Sequence, residues 1–140
     1  LAEQKKVRIS LEKKAPGCLV EADCELLKQA ILNIVLNSLQ AMPHGGEIRA
    51  RIETAEEMAQ RWVELILEDT GTGIPAHVLP KVFDPFFTTR AEGSGLGLSI
   101  VHNIVVSHGG SIRIESEEGV GTRVKIRIPT GDKNTREFGP

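Results

Sequence analysis

Gly93-Ser94-Gly95-Leu96-Gly97-Leu98 runs directly into Ser99-Ile100-Val101-His102-Asn103-Ile104-Val105, a glycine cluster opening the strongest short helical pattern in the chain. Glycine lets backbone N–H groups approach an anion without interference from a Cβ. A helix beginning near Leu96 would aim its unsatisfied N–H groups and positive dipole end at that anion. The junction therefore reads as a phosphate site within a nucleotide pocket. A flexible loop that merely needs glycine accounts for the same residues, so the surrounding chain has to decide.

Downstream, His108-Gly109-Gly110 supplies a left-handed helix stop. Ile112 and Ile114, then Val124, Ile126 and Ile128, alternate with charged residues across Glu117-Glu118-Gly119, which predicts a hairpin. Pro129 ends it, and residues 131–140 are polar and unpatterned, a tail outside a domain spanning 1–130. Upstream, Phe83-Asp84-Pro85-Phe86-Phe87 holds three of the four phenylalanines. Pro85 argues against a core strand, and the segment reads as an anchor for a loop, Thr88 to Ser94, that closes over a ligand.

Further upstream, Val63, Leu65 and Leu67 alternate with Glu64, Ile66 and Glu68, so by parity Asp69 follows the apolar set to the rim of the core. A carboxylate there needs strong donors, and the amino group of an adenine would be one. An Asx-turn onto the N–H groups of Thr70-Gly71-Thr72-Gly73 is the other reading, and the two are compatible. Ile74-Pro75 is expected to start a short helix over about 76–82. Asp23 is a plausible N-cap for a long helix through about Met42, stopped by Pro43. On it Asn33 and Asn37 stack four residues apart, bordered by apolar positions. Asparagine is a mediocre helix former, and its amide oxygen is a good hard ligand for Mg²⁺; an exposed polar edge is the plainer account.

Val7, Ile9 and Leu11 alternate with Arg8, Ser10 and Glu12, a first strand with one face on the core. Cys18 to Ala22 is expected as a second strand pairing back onto it. Ile48, Ala50 and Ile52 form a third, and Thr54 to Arg61 a polar loop. The fold class is α+β, a two-layer α/β sandwich: helices on one face of a mixed, largely antiparallel sheet.

The 140 residues, 40% hydrophobic and 26% charged, fit one globular domain. A net charge of −2 gives no reason to expect nucleic acid or an anionic membrane as partner. Cys18 and Cys24 match no zinc spacing and read as reduced, partly buried thiols of a cytoplasmic protein. No apolar run approaches the roughly 20 residues that span a bilayer, although a longer, membrane-anchored parent chain is compatible with this.

Taken in order, Asn33-Ile34-Val35-Leu36-Asn37, Asp69-Thr70-Gly71-Thr72-Gly73, Phe83 to Phe87, Gly93 to Leu98 and Gly119-Val120-Gly121-Thr122 resemble the ATP-binding catalytic domain of sensor histidine kinases. The resemblance implies the Bergerat fold shared with gyrase, MutL and heat-shock chaperone ATPases, with a mobile ATP lid. It makes Asn37 the Mg²⁺ ligand and Asp69 the reader of the adenine amino group. Gly71, Gly73 and Ile74 would line the base pocket, and Thr122 would close it. Phe83, Phe86 and Phe87 would form the lid hinge, with Thr88 beyond it and Arg90 as a basic lid residue near the phosphates. Gly93, Gly95, Leu96, Gly97 and Leu98 would form the phosphate loop, and Asn33 would border it.

Hydrolysing members of the superfamily carry a glutamate where this chain has Asn33, and an amide cannot be the general base. None of His44, His77, His102 or His108 stands on a long helix beside an acidic residue, so the phosphoacceptor has no counterpart. The resemblance thus implies one half of an enzyme: Mg²⁺-ATP would give its γ-phosphate to a histidine on separate dimerisation helices. A receiver domain of a response regulator would be the next partner. The isolated domain would be monomeric and the full-length kinase a homodimer. The Asn-Ser-Leu-Gln-Ala-Met run resembles kinases of the nitrogen-regulation type more than those with a lysine or aromatic there. A serine kinase of the anti-sigma-factor type, a hydrolytic ATPase and a non-catalytic binding module are the alternatives.

Overall fold

The structure is a computed structural model that describes residues 6–14, 20–85 and 97–130. Residues 86–96, which hold most of the expected lid and phosphate loop, lie outside the described residues, as do Cys18 and the tail. Strand alternation produces β1 (Val7–Lys14), β2 (Gly46–Glu57), β3 (Gln60–Asp69), β4 (Ser111–Glu117) and β5 (Gly121–Pro129). They form one sheet in the order β1-β2-β3-β5-β4. β1 runs parallel to β2, and the other pairs are antiparallel. The parallel step follows from what lies between: helix α1 (Cys24–Gln40) carries the chain back across the sheet before β2 begins.

Asp23 caps α1 with its carboxylate, accepting from Glu25 N at 3.0 Å and Leu26 N at 3.1 Å. Ala30 and Ile34 on α1 pack with Ile48 and Leu67 of the sheet and with Val101, Ile104 and Val105 of α2 (Gly97–Ser107). α2 ends in a Schellman motif: Gly110 N bonds Val105 O, Gly109 N bonds Val106 O, and Gly109 has φ +75°. Among the described residues no helix is long and apolar enough to cross a membrane.

Five expectations change. Cys24, expected as partly buried, is exposed, because it stands at the first position of α1. Val20 to Ala22 belong to no strand, and β1 pairs with β2 instead of folding back on a hairpin. β1 is an edge strand, so its inner face is only partly covered: Val7 packs against the core, whereas Ile9 is 53% and Leu11 66% exposed. The polar stretch Thr54 to Arg61 is not a loop, because β2 and β3 run on to a two-residue turn at Met58 and Ala59, with φ of +54° and +64°. Cross-strand pairing of polar residues there outweighs composition. The short helix after Pro75 shrinks to a 3-10 turn at Leu79–Lys81, with Pro80 in its first turn.

The outer face of the sheet is charged but not all wet. Ile66 is 3% and Glu64 7% exposed. Ile66 lies between Arg51 and Lys125 in the register, two side chains with aliphatic stems long enough to cover a neighbour. Arg127 donates to Glu64 at 2.9 Å and also to Glu57, with its guanidinium 5.5 Å from the Trp62 ring centroid. Its hydrogen bond holds the Glu57 carboxyl below the ordinary range, as Arg49 does for Glu47. Glu68 is shared by Arg51 at 3.4 Å and Arg123 at 3.3 Å.

Candidate nucleotide site

The end of β3 is where the apolar alternation gives way to Asp69, and the neighbouring backbone is pulled tightly around it. The Asp69 carboxylate accepts from Gly71 N at 2.9 Å, the Asx-turn the sequence suggests, and from Ser38 Oγ at 2.7 Å. Thr72 N then donates to Ala41 O at 3.0 Å, which occupies a carbonyl at the C-terminal end of α1 and docks the loop there. On the other side Gly119 N donates to Thr72 O at 2.7 Å, and Ile74 N to Ser116 Oγ at 2.7 Å. The loop 70–74 is thereby strapped between α1 and the β4–β5 turn.

Two glycines make the close approach possible. Gly73 has φ +75°, and a Cβ on it would stand 2.2 Å from Glu117 O. A Cβ on Gly121 would stand 2.0 Å from Asp69 O. Neither position can hold a side chain without moving backbone. The β3–β5 register places Thr122 opposite Asp69, so their side chains share the inner face.

α1 and α2 lie antiparallel. A Cβ at Gly97 would be 3.8 Å from Asn37 Nδ2 and 3.9 Å from Asn37 Oδ1, so the half-buried Asn37 amide stands beside the N-terminus of α2. At the opposite ends, Asp23 N donates to His108 Nε2 at 3.0 Å, and His108 Nδ1 lies 2.7 Å from Ile104 O. Since a backbone N–H occupies Nε2, the ring proton sits on Nδ1 and is donated to Ile104. Asn33 is one turn before Asn37 on the same helix, and Leu98 is in the first turn of α2.

The structure thus brings together Asn37, Asp69, Gly71, Gly73, Ile74, Thr122 and Gly97. Phe87, Thr88, Arg90, Gly93, Gly95 and Leu96 lie outside the described residues. Phe83 is described, and its ring packs at 5.2 Å, tilted 40°, on His102 of α2. Sequence reasoning missed Ser38 and Ser116. Ser38 carried a signal, being a buried polar residue in the stripe Ala30, Ile34, Ser38 at four-residue spacing. Among the described residues no group of three His, Cys, Asp or Glu could hold a metal ion. A Mg²⁺ at Asn37 would take its other ligands from phosphate and water, which suits an ion that dehydrates reluctantly and commonly arrives with a nucleotide.

The five-stranded mixed sheet with its covering pair of antiparallel helices is the architecture of the catalytic domains of sensor histidine kinases. The chain belongs to the family described as histidine kinase-, DNA gyrase B- and HSP90-like ATPases, whose model matches residues 22–132. It is 44% identical over 110 residues to sensor histidine kinase ZraS of Escherichia coli strain K12, covering 79% of this chain and 23% of that protein. The chain therefore spans less than a quarter of that relative. The nucleotide-free catalytic domain of histidine kinase ThkA superposes with a TM-score of 0.79 at 32% identity, covering 91% of this chain and 82% of that one. ThkA in complex with the response regulator protein TrrA gives a TM-score of 0.72 at 31% identity, covering 91% and 35%.

Proposed function

We propose that this chain, with its domain over residues 1–130, binds Mg²⁺-ATP and delivers the γ-phosphate to a histidine on separate dimerisation helices of its parent kinase. The observation that carries the reading is the Asn37 amide standing beside the N-terminus of α2, on the helix whose next residue, Ser38, holds Asp69. One short stretch of α1 thereby serves both ends of a nucleotide.

Asp69 reads the adenine amino group, with Gly71, Gly73, Ile74 and Thr122 around the base. Asn37 and Asn33 border the phosphates with Gly97 and Leu98, where the first N–H groups of α2 point at negative charge. By the same resemblance Phe87, Thr88 and Arg90 would serve from the lid and Gly93, Gly95 and Leu96 from the phosphate loop, with Arg90 offsetting charge as the phosphoryl group moves. Mg²⁺, when bound, supplies charge neutralisation between phosphate oxygens. In the transfer the histidine nitrogen forms a bond to the γ-phosphorus, the bond to the bridging oxygen breaks, and ADP leaves with that electron pair. Positioning and electrostatics account for the catalysis. Asn33 offers no base for a competing water, which favours transfer over hydrolysis. The chain works in the cytoplasm, and a receiver domain takes the phosphoryl group onward, in keeping with the ThkA complex with TrrA.

The test supplies a histidine phosphoacceptor domain and ATP to wild type and to Asn37→Ala. Acid-labile phosphate on the acceptor is expected with wild type, and a rate about 100-fold lower with the variant. Transfer at the wild-type rate by Asn37→Ala would remove that residue from the reaction. Acid-stable phosphate on an acceptor would make this a serine kinase.

A further inference from the structure

The polar groups at the end of β3 and the start of β5 are linked through the Ser116 and Thr122 hydroxyls. Ser116 Oγ lies 2.9 Å from Gly121 O, which can only accept, and 2.7 Å from Ile74 N, which can only donate. It also lies 2.8 Å from Thr122 Oγ1. A serine has one hydroxyl hydrogen. Either hydroxyl can donate across the contact between Ser116 and Thr122. The arrangement that also gives Gly121 O its donor puts the Ser116 hydrogen there, so that Ser116 accepts from Thr122 and the Thr122 hydrogen is spent inside the protein. Thr122 Oγ1 is left with lone pairs only. Asp69 is fixed in the same sense from α1: Ser38 donates to Oδ2 at 2.7 Å and Gly71 N to Oδ1 at 2.9 Å. Asp69 and Thr122 are register partners, so two groups that can only accept stand side by side.

We propose that Ser38 and Ser116 are positioning residues that set base selectivity, by making this end of the site accept a purine with an amino group at C6 and refuse one with a carbonyl there. The inference rests on the nucleotide reading above. A C6 carbonyl would face a carboxylate and an oxygen lone pair and find no donor, and a site built to bond a donor rejects an analogue lacking it strongly. The two serines fail differently. Without Ser38 the Asp69 carboxylate loses the bond that holds its orientation, and the amino group is gripped less well. Without Ser116 the Thr122 hydrogen is freed to turn outward and donate to a carbonyl.

The experiment titrates this chain calorimetrically with the β,γ-imido analogues of ATP and ITP in Mg²⁺. Wild type is expected to prefer the ATP analogue by about 100-fold. Ser38→Ala is expected to narrow that ratio about tenfold by losing affinity for the ATP analogue. Ser116→Ala is expected to narrow it about tenfold by gaining affinity for the ITP analogue. A role in packing alone would lower both affinities together and leave the ratio unchanged, and that result in folded variants overturns the proposal while the nucleotide reading stands. Equal binding of both analogues by wild type overturns it as well. Binding of neither analogue by wild type removes the nucleotide reading and this inference with it. The substitutions lie on different elements, so either folded variant suffices.

Discussion

β3 carries Glu64 on its outer face and Asp69 on its inner face, and the two carboxylates are satisfied in opposite ways. Glu64, 7% exposed, is matched by a full positive charge, the Arg127 guanidinium at 2.9 Å. Asp69 is held by two neutral donors, the Ser38 hydroxyl and the Gly71 N–H. An ion pair closes a site, because the charge is already compensated and buried. Neutral donors orient a carboxylate while leaving its charge and remaining lone pairs free to attract another donor. The same residue chemistry therefore stabilises on one face of the strand and, on the proposed reading, recognises on the other.

The sharpest way to break this contrast is Asp69→Asn. The amide has a donor where the carboxylate offers only acceptors, so affinity for an ATP analogue should fall about 100-fold or more while the unfolding midpoint in urea changes little. A large loss of stability with unaltered binding would show that Asp69 belongs with Glu64. Next in size is Arg127→Ala, which strips Glu64 of its partner where the Glu64 side chain is 9% exposed. Stability should drop by about 2 kcal/mol, below the range for fully buried pairs because Arg127 is itself 27% exposed. ATP-analogue affinity should stay within about twofold.

The smallest effect concerns acid. The folded Glu57 carboxyl titrates below its ordinary 4.5 because Arg127 hydrogen-bonds it. Its contribution is thus complete above that value and lost as pH falls through the lower folded one. Glu57→Gln should have a lower Tm than wild type at neutral pH, with the difference closing as pH falls below the ordinary carboxylate range. A gap that persisted into acid would mean that packing, and not the charge of Glu57, is what Arg127 uses.

Much of this fold was legible. The alternation in β2, β3, β4 and β5, the Asp23 cap and the double-glycine stop of α2 are local signals that tertiary structure had no reason to override. The Asx-turn at Asp69 was legible for the same reason, since two glycines follow it at the spacing the turn needs. What escaped were non-local facts. Nothing in Val7 to Leu11 says that the strand sits at an edge, because alternation records a half-apolar ribbon and not whether a helix lies over it. Met58 and Ala59 give no turn signal, yet β-pairing on both sides forces them to positive φ. Ser116 is one serine in a charged hairpin, and its role appears only when Ile74, 42 residues away along the chain, donates to it.

The imidazole of His108 carries one further consequence. Pinned between Asp23 N–H and Ile104 C=O, it is locked in the Nδ1–H tautomer, and its ring nitrogens differ in chemical environment for as long as the clasp holds. It is therefore a built-in spectroscopic probe, at the ends of α1 and α2 remote from Asn37. Nitrogen-15 shifts at this single ring, followed during a nucleotide titration, would report whether the helix pair swings as a rigid unit or opens at its far end.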